Sequence, residues 1–153
     1  MAMRGTLAGI ARHARPRGAM EVLEHVRVTI EAGLDGDFRG AVKPGGRGRR
    51  QVSLIERADW DAAMADLGAD HHWSARRANL LVDGLDLPQR AGARLRIGTV
   101  LLEIKQECYP CSRMDAIDPG LKAALTPDWR GGALARVIAG GDIAIGDEIG
   151  LEE

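Results

Sequence analysis

The feature that most restricts the fold is a series of short apolar segments separated by turns rich in glycine. Glycine accounts for 20 of the 153 residues, which is well above the roughly 7% that is usual in globular proteins. Val26, Val28 and Ile30 alternate with polar residues, as in a half-buried strand. Similar segments predict strands at residues 3–11, 22–30, 51–55, 79–82, 95–97, 100–104, 134–138 and 143–145. We therefore predict a mainly β protein of about eight short strands.

Two segments have helical spacing instead. The first has apolar residues at positions i, i+3, i+4 and i+7, namely Trp60, Ala63, Met64 and Leu67. The second is expected to begin at Asp118-Pro119, a capping residue followed by proline at the first helical position. Its apolar face consists of Leu121, Ala124 and Leu125. Strands do not alternate with helices, which disfavours a doubly wound α/β fold, and we expect a single domain over residues 1–153.

Charge is distributed unevenly although the net charge is only −1. Residues 1–50 carry ten Lys/Arg and five Asp/Glu (net +5), whereas residues 51–153 carry eleven and seventeen (net −6). A long, glycine-rich loop over residues 33–50 ends in Lys43-Pro44-Gly45-Gly46-Arg47-Gly48-Arg49-Arg50. Glycine backbone and arginine side chains suit phosphate, so we expect an anion-binding region in the first third of the chain. A solvated basic loop would have the same composition.

Several classes of partner are not expected. Five aromatic residues in the whole chain are too few for a platform that stacks nucleic-acid bases. No apolar stretch approaches the length of a transmembrane span, so we expect no membrane partner. Two cysteines three residues apart do not indicate a secreted disulfide scaffold. A cytoplasmic location is therefore expected.

The tetrapeptide Cys108-Tyr109-Pro110-Cys111 carries the most chemical information. As half of a zinc site it would need two further ligands, and His71 and His72 do not form a recognisable second half. A thioredoxin-like pair would follow an early strand of a βαβ unit, whereas this motif comes late in the chain. The remaining interpretations are an inert thiol or a reactive one, the latter favoured by nearby cations such as Arg113.

A second polar motif is Trp73-Ser74-Ala75-Arg76-Arg77-Ala78-Asn79. Two arginines followed by asparagine at the start of a strand could hold a phosphate or a planar heterocycle. The alternative is a surface ion pair with the acidic residues of the segment 66–70.

The order of these segments resembles the MOSC domain, a family named after the C-terminal part of molybdenum-cofactor sulfurase. The resemblance covers about residues 33–149, most of the chain. Its motifs are, in chain order, Gly33-Leu34-Asp35-Gly36-Asp37, Arg50-Gln51-Val52-Ser53-Leu54-Ile55, Arg77-Ala78-Asn79-Leu80-Leu81-Val82, Gly92-Ala93-Arg94-Leu95-Arg96-Ile97-Gly98, Pro110-Cys111-Ser112-Arg113-Met114, Pro119-Gly120-Leu121 and Gly146-Asp147-Glu148-Ile149. Each is weak alone, but their shared order is specific.

The resemblance implies a closed, β-barrel-like domain with two or three short peripheral helices. It also implies binding of molybdenum cofactor (molybdopterin). Cys111 matches the family's cysteine, which is the molybdenum ligand and catalytic residue in members that reduce N-hydroxylated compounds. Arg77 and Asn79 match positions on the phosphate and pterin side of the cofactor, and Arg50 lies where an anion contact is expected.

The same resemblance leaves two alternatives to a reductase. Cys111 could hold a persulfide, as in a sulfur carrier supplied by a cysteine desulfurase, or the domain could bind anions without catalysis. A reductase of this size would need a separate electron-transfer protein. One departure from the family concerns a histidine that many members carry soon after the Gly-Asp pair, where this chain has Phe38 and Arg39.

Overall fold

The computed structural model of the chain describes residues 3–42 and 45–152. Its strands are β1 (Arg4–Arg12), β2 (Glu21–Leu23), β3 (His25–Thr29), β4 (Gly33–Leu34), β5 (Val52–Glu56), β6 (Leu80–Asp83), β7 (Arg94–Ile97), β8 (Val100–Glu107), β9 (Ala133–Ala139), β10 (Gly141–Ala144) and β11 (Glu148–Glu152). The α-helices are α1 (Arg57–Leu67), α2 (Ser112–Ile117) and α3 (Leu121–Ala124), with short 3-10 helices at Trp73–Arg76 and Pro127–Trp129. No helix in the described part of the chain is both long and apolar enough to cross a membrane.

Seven strands close into a mixed barrel in the order β11-β7-β8-β9-β5-β6-β1, and β1 pairs back onto β11. The β5–β6 pair is parallel, and the other barrel pairs are antiparallel. Parallel neighbours need a long crossover connection, which α1 supplies here. Strand β2 extends the sheet at β1, while β10, β3 and β4 form a second, smaller sheet. The mainly β class and the closed barrel are thus confirmed.

The barrel wall has apolar residues on both faces. In β6, Leu80 and Val82 belong to the core that fills the barrel, whereas Leu81 belongs to a second core outside it. The second core is covered by the helices, with Trp60 of α1, Met114 of α2 and other residues packed against the wall.

The helices follow the predicted apolar pattern in part. In α1, Trp60, Ala63 and Met64 are buried as expected. The predicted helix start at Asp118-Pro119 is wrong, because α3 begins at Leu121. Asp118 instead ends α2, and its carboxylate lies 2.8 Å from Nε2 of His71.

Three further differences concern short elements. Helix α2 was not predicted, since its six residues bury only Met114 and offer no complete apolar face. The predicted strand at 22–30 is split into β2 and β3. Strand β11 was also missed, although it closes the barrel by pairing with both β1 and β7.

Candidate functional site

A pocket of about 330 Å³ lies against the outer face of the barrel wall, where Ser53 of β5 and Leu134 of β9 point away from the barrel core. Six arginines line it: Arg17, Arg39, Arg50, Arg76, Arg77 and Arg113. None of the six forms an ion pair with a carboxylate in residues 3–42 or 45–152. Among the described lining residues Asp37 supplies the single carboxylate against these six cations, so the pocket carries an excess of positive charge.

All four site residues named from the sequence, Cys111, Arg50, Arg77 and Asn79, line this one pocket. They come from three segments: the loop after β8, the loop before β5, and the short connection between a 3-10 helix and β6, which holds both Arg77 and Asn79. The fold thus brings basic residues from the first third of the chain next to the thiol from the last third.

Cys111 is exposed and immediately precedes α2. Its backbone carbonyl accepts a hydrogen bond from the amide of Met114 at 3.0 Å, which anchors this loop to the helix. Pro110 before it is buried, whereas Tyr109 is 72% exposed. The thiol is consequently presented to the pocket by a fixed backbone, and it is accessible to a ligand.

Arg76 holds the other cysteine in place. Its buried guanidinium donates from Nε to the carbonyl of Gly131 at 3.0 Å, and from Nη2 to the carbonyl of Cys108 at 3.0 Å. The same Nη2 lies 3.2 Å from Sγ of Cys108. Arg76 therefore connects the end of β8 to the segment before β9 and places a cation beside a second pocket thiol.

Arg77 has a left-handed backbone (φ 66°), an uncommon conformation for a residue with a side chain. Its Nη2 donates to the carbonyl of Gly18 at 2.7 Å and so fixes the loop that follows β1. Burial lowers the pKa of Arg77, the neighbouring Arg113 and Arg39 lower it further, and the charge of Asp37 opposes the shift. The guanidinium is thus crowded by like charges rather than paired with an acid.

Asn79 is buried, and its side chain joins two strands. The side-chain oxygen accepts from the amide of Ser53 at 3.0 Å, and Nδ2 donates to the carbonyl of Ala11 at 3.1 Å. These bonds hold β1 and β5 together at the floor of the pocket. Contact between Asn79 and a cofactor stays a prediction. One of the two amide hydrogens of Asn79 is already used within the protein.

The motif Gly33-Leu34-Asp35-Gly36-Asp37 folds into β4 and a tight turn. The amide of Asp37 donates to the carbonyl of Leu34 at 3.0 Å, and Gly36 at the third turn position has φ of 80°. That conformation suits glycine, which explains why the motif has glycine at this position. The turn brings the carboxylate of Asp37 under the pocket, where it accepts from the backbone amide of His13 at 3.2 Å.

His13 follows β1 and lies in the pocket wall, with a side chain that is 7% exposed. Its Nδ1 lies 3.7 Å from Oδ1 of Asp37 and is the one buried side-chain nitrogen or oxygen without a hydrogen-bond partner in the part of the chain that the structure describes. Burial lowers the pKa of His13; Asp37 opposes this shift, while Arg77 and Arg39 add to it.

Sequence reasoning did not identify His13, Arg17 and Arg39 as site residues. The excess of basic residues in the first third was the available signal for the two arginines, but it did not distinguish them from their neighbours. Nothing in the local pattern marks His13. In the basic glycine loop Arg50 lines the pocket, whereas Arg47 and Arg49 do not; Lys43 and Pro44 lie outside the described residues.

An open groove of about 780 Å³ continues from the pocket and shares Arg17, Arg77, Arg113 and Met114 with it. Apolar side chains also line the groove, namely Met20, Ala75 and Ile117. A ligand with an anionic end and an apolar body would find matching chemistry along this path.

A family model for the MOSC domain matches residues 35–150. Three solved structures share the fold at low sequence identity. YuaD from Bacillus subtilis has a TM-score of 0.79 and 18% identity, over 96% of this chain and 94% of that one. YiiM from Escherichia coli has a TM-score of 0.72 and 19% identity, over 99% and 71%. YiiM from Geobacillus stearothermophilus has a TM-score of 0.72 and 18% identity, over 97% and 75%. No curated protein matches the chain.

Proposed function

Because the MOSC model covers most of the chain, this protein belongs to the MOSC domain family, and we propose that it binds molybdenum cofactor and reduces N-hydroxylated compounds. The resemblance inferred from the sequence motifs is confirmed at the level of the family. Cofactor binding and the reaction go beyond that level, and they depend on the chemistry of the pocket.

The observation that carries the proposal is an exposed thiol in a pocket with six arginines that form no ion pairs within the described residues. Molybdopterin combines a phosphate with sulfur ligands for a metal, so it would supply negative charge and metal to the same cavity. Arginine is suited to phosphate through its planar fork, and thiolate is a soft ligand suited to a thiophilic metal. The donor set in the pocket therefore fits this cofactor.

Each pocket residue has a separate part in the proposal. Cys111 would be the metal ligand, while Arg50 and Arg77 would hold the anionic end of the cofactor. Arg76 positions the Cys108 loop next to Cys111 through its bonds to Gly131 and Cys108. When bound, the cofactor would supply two-electron redox chemistry, and the protein would orient it and admit substrate.

The open groove would receive the organic part of the substrate. Its apolar residues suit a heterocyclic or aliphatic body, and its shared arginines suit an anionic substituent. The electrons would come from a separate electron-transfer protein, and we propose a cytoplasmic location for the reaction. Tyr109, two residues before Cys111, is exposed and would be accessible to such a protein.

The first test is the molybdenum and pterin content of protein made in a host that synthesises the cofactor. Wild type is expected to contain molybdenum and pterin each in a nearly stoichiometric amount relative to protein. Cys111→Ala should lose molybdenum, whereas Cys108→Ala is the matched control, since it removes a thiol from the same loop. Retention of full metal content and N-hydroxylamine reduction by Cys111→Ala would overturn the proposal.

A second candidate, a sulfur carrier, is favoured by one specific observation. Cys108 lies in the same pocket as Cys111, and the Arg76 guanidinium next to its sulfur would stabilise negative charge there. A persulfide on Cys111 could then be resolved by the Cys108 thiol, which would form a disulfide and release hydrogen sulfide. Incubation with a cysteine desulfurase should add one sulfur atom to Cys111 in intact-mass spectra, and no gain would exclude this candidate.

The third alternative, a binding module without catalysis, predicts a different pattern. Anion binding would fall in Arg50→Met and Arg77→Met but remain unchanged in Cys111→Ala. Isothermal titration with molybdopterin-free protein and inorganic sulfate separates this alternative from the first two when it is combined with the metal analysis.

A further inference from the structure

His13 has an unusual environment for a buried histidine. The structure places it in a wall of the arginine pocket, and its Nδ1 faces Asp37 at 3.7 Å without forming a hydrogen bond. A buried polar atom without a partner is costly in a folded protein, and it usually has an explanation in function or in a missing ligand. The proposed roles of the cysteines and arginines do not use it.

The orientation of the ring distinguishes its two nitrogens. Nδ1 is shielded from solvent and lies on the side of Asp37. Nε2 has no hydrogen bond within residues 3–42 and 45–152 and is not among the buried atoms without partners, so it is the nitrogen open to the pocket. A carboxylate beside Nδ1 selects the tautomer that leaves Nε2 free to exchange a proton with a ligand.

The distance of 3.7 Å between Nδ1 of His13 and Oδ1 of Asp37 is longer than a hydrogen bond, but a small movement would shorten it to hydrogen-bond length. Catalytic hydrogen bonds are often long in a free protein and shorten when ligand is bound. Asp37 is held in place by its own turn and by the backbone amide of His13. The pair therefore needs only a small rotation of the imidazole to form its bond.

Charge around His13 links its protonation to pocket occupancy. The groups that act on it are Asp37, Arg77 and Arg39. An anion in the pocket would offset the arginines while Asp37 continues to favour the imidazolium. Binding of an anion in the pocket should therefore favour protonation of His13.

We propose that His13, aligned by Asp37, is the proton donor to the oxygen that leaves an N-hydroxylated substrate. This inference rests on the function proposed above. The overall change is R–NH–OH plus two electrons and two protons, giving R–NH₂ and water. The N–O bond breaks, the electrons come from the electron-transfer protein, Nε2 of His13 gives one proton to the departing oxygen and solvent gives the other to nitrogen.

The first experiment follows His13 in the cofactor-free protein by NMR with labelled histidine and inorganic sulfate as the anion. Sulfate is chosen because it does not itself titrate between pH 5 and 8. The pKa of His13 is expected below its ordinary value without sulfate and above that starting point with sulfate. Asp37→Asn should lower it, and the His25 resonance in β3, outside the pocket, is the internal control. A His13 titration that ignores both sulfate and Asp37→Asn would overturn the inference.

The second experiment uses cofactor-loaded protein and measures molybdenum content together with the pH profile of turnover. His13→Gln should keep the metal, lose roughly 100-fold in kcat and lose the pH dependence that reports His13. Added imidazole should restore part of the rate in His13→Ala. His25→Gln is the matched control and should behave as wild type.

The two proposals fail in different ways. Wild-type protein that contains metal, with an unaltered pH profile in His13→Gln, would overturn the role of His13 and leave the proposed function standing. Wild-type protein without metal or reductase activity would overturn the proposed function and with it the proton transfer. If His13→Gln does not fold, Asp37→Asn, whose kcat should also fall at unchanged metal content, gives the same decision.

Discussion

The two ends of β5 carry clusters of opposite charge, and they differ in how the charge is accommodated. Before the strand, Arg50 contributes to the six-arginine pocket. At its end, Glu56 lies close to Asp59 and Asp86, and burial together with the charge of Asp59 raises the pKa of Glu56 to about 7. The carboxylate cluster can thus relieve its repulsion by binding one proton.

The arginines have no equivalent means of relief. A guanidinium does not release its proton under physiological conditions, so a cluster of arginines remains charged. Asp37 is the single carboxylate among the described residues that line the pocket, so further relief of the repulsion has to come from an anion outside the protein. The comparison indicates that like-charge crowding at one end of β5 is satisfied within the protein, whereas at the other end it is left for a ligand.

The largest expected effect tests this difference directly. Arg39→Met combined with Arg113→Met should weaken sulfate binding about 100-fold at low salt, since each charged hydrogen bond contributes about 1.5–3 kcal/mol. Titration calorimetry measures it. Arg27→Met, an exposed arginine paired with Asp142 at 3.1 Å and outside the pocket, is the matched control. Equal losses in both proteins would remove the distinction between the two groups of arginines.

A smaller effect concerns stability in the presence of the anion. At sulfate tenfold above its Kd, wild type should gain about 1.4 kcal/mol, and its Tm should rise by roughly 3–6 °C. Differential scanning calorimetry measures the shift. Because sulfate also stabilises proteins non-specifically, the Arg39/Arg113 double variant serves as control. A rise of the same size in that variant would contradict specific binding.

The carboxylate cluster at the end of β5 predicts a change in unfolding free energy of about 1 kcal/mol, a value reduced for solvent screening because Glu56 is only partly buried. A carboxyl whose pKa is raised by folding contributes stability below its unfolded pKa, and this is lost as pH rises through about 7. Glu56→Gln should therefore match wild type at pH 5 and be the more stable protein at pH 8 in urea unfolding. Asp61→Asn, on the exposed side of α1, is the control. Parallel pH profiles for wild type and Glu56→Gln would refute the raised pKa.

The smallest effect is expected where charges are paired and exposed. Arg96 and Glu152 form an ion pair at 3.0 Å between β7 and β11, on the surface. Such pairs contribute little because water already solvates both partners. Arg96→Met should leave the urea midpoint unchanged within error. A loss of stability as large as the pH effect at Glu56 would mean that exposed ion pairs contribute as much here as the like-charge clusters.

Much of the fold could be predicted because its strands and α1 carry regular apolar periodicity. Strand β11 and helix α2 could not, since each is short and each is defined by its partners. Residues 148–152 become a strand only because β1 and β7 leave two open edges for them. Asp118 illustrates the same limit, because its partner His71 lies far away in the chain and outweighs its local preference for capping a helix.

Site residues that belong to sequence motifs could be predicted, whereas those brought into the site only by the three-dimensional fold could not. Cys111, Arg50, Arg77 and Asn79 stand in recognisable motifs, and all four line the pocket. His13 belongs to no motif, and its importance arises from the turn that places Asp37 beside it. A pairing between two residues 24 positions apart depends on the turn at Gly36 and the exit of β1, neither of which local composition reveals.

Because β11 closes the barrel, it also limits the order in which the strands can pair as the chain is synthesised. Strand β1 is synthesised first, yet its contact with Gly150 has to wait until the last strand is translated. The interval from Arg4 to Glu148 is 144 residues, or about 7–30 s at 5–20 residues per second. During that time β1 can pair with β6, so the wall beneath the pocket can assemble on the ribosome while the seam stays open. Pairing of β11 with β1 and β7 is thus the step that closes the barrel, and it can occur only after the strands that carry the pocket have been synthesised.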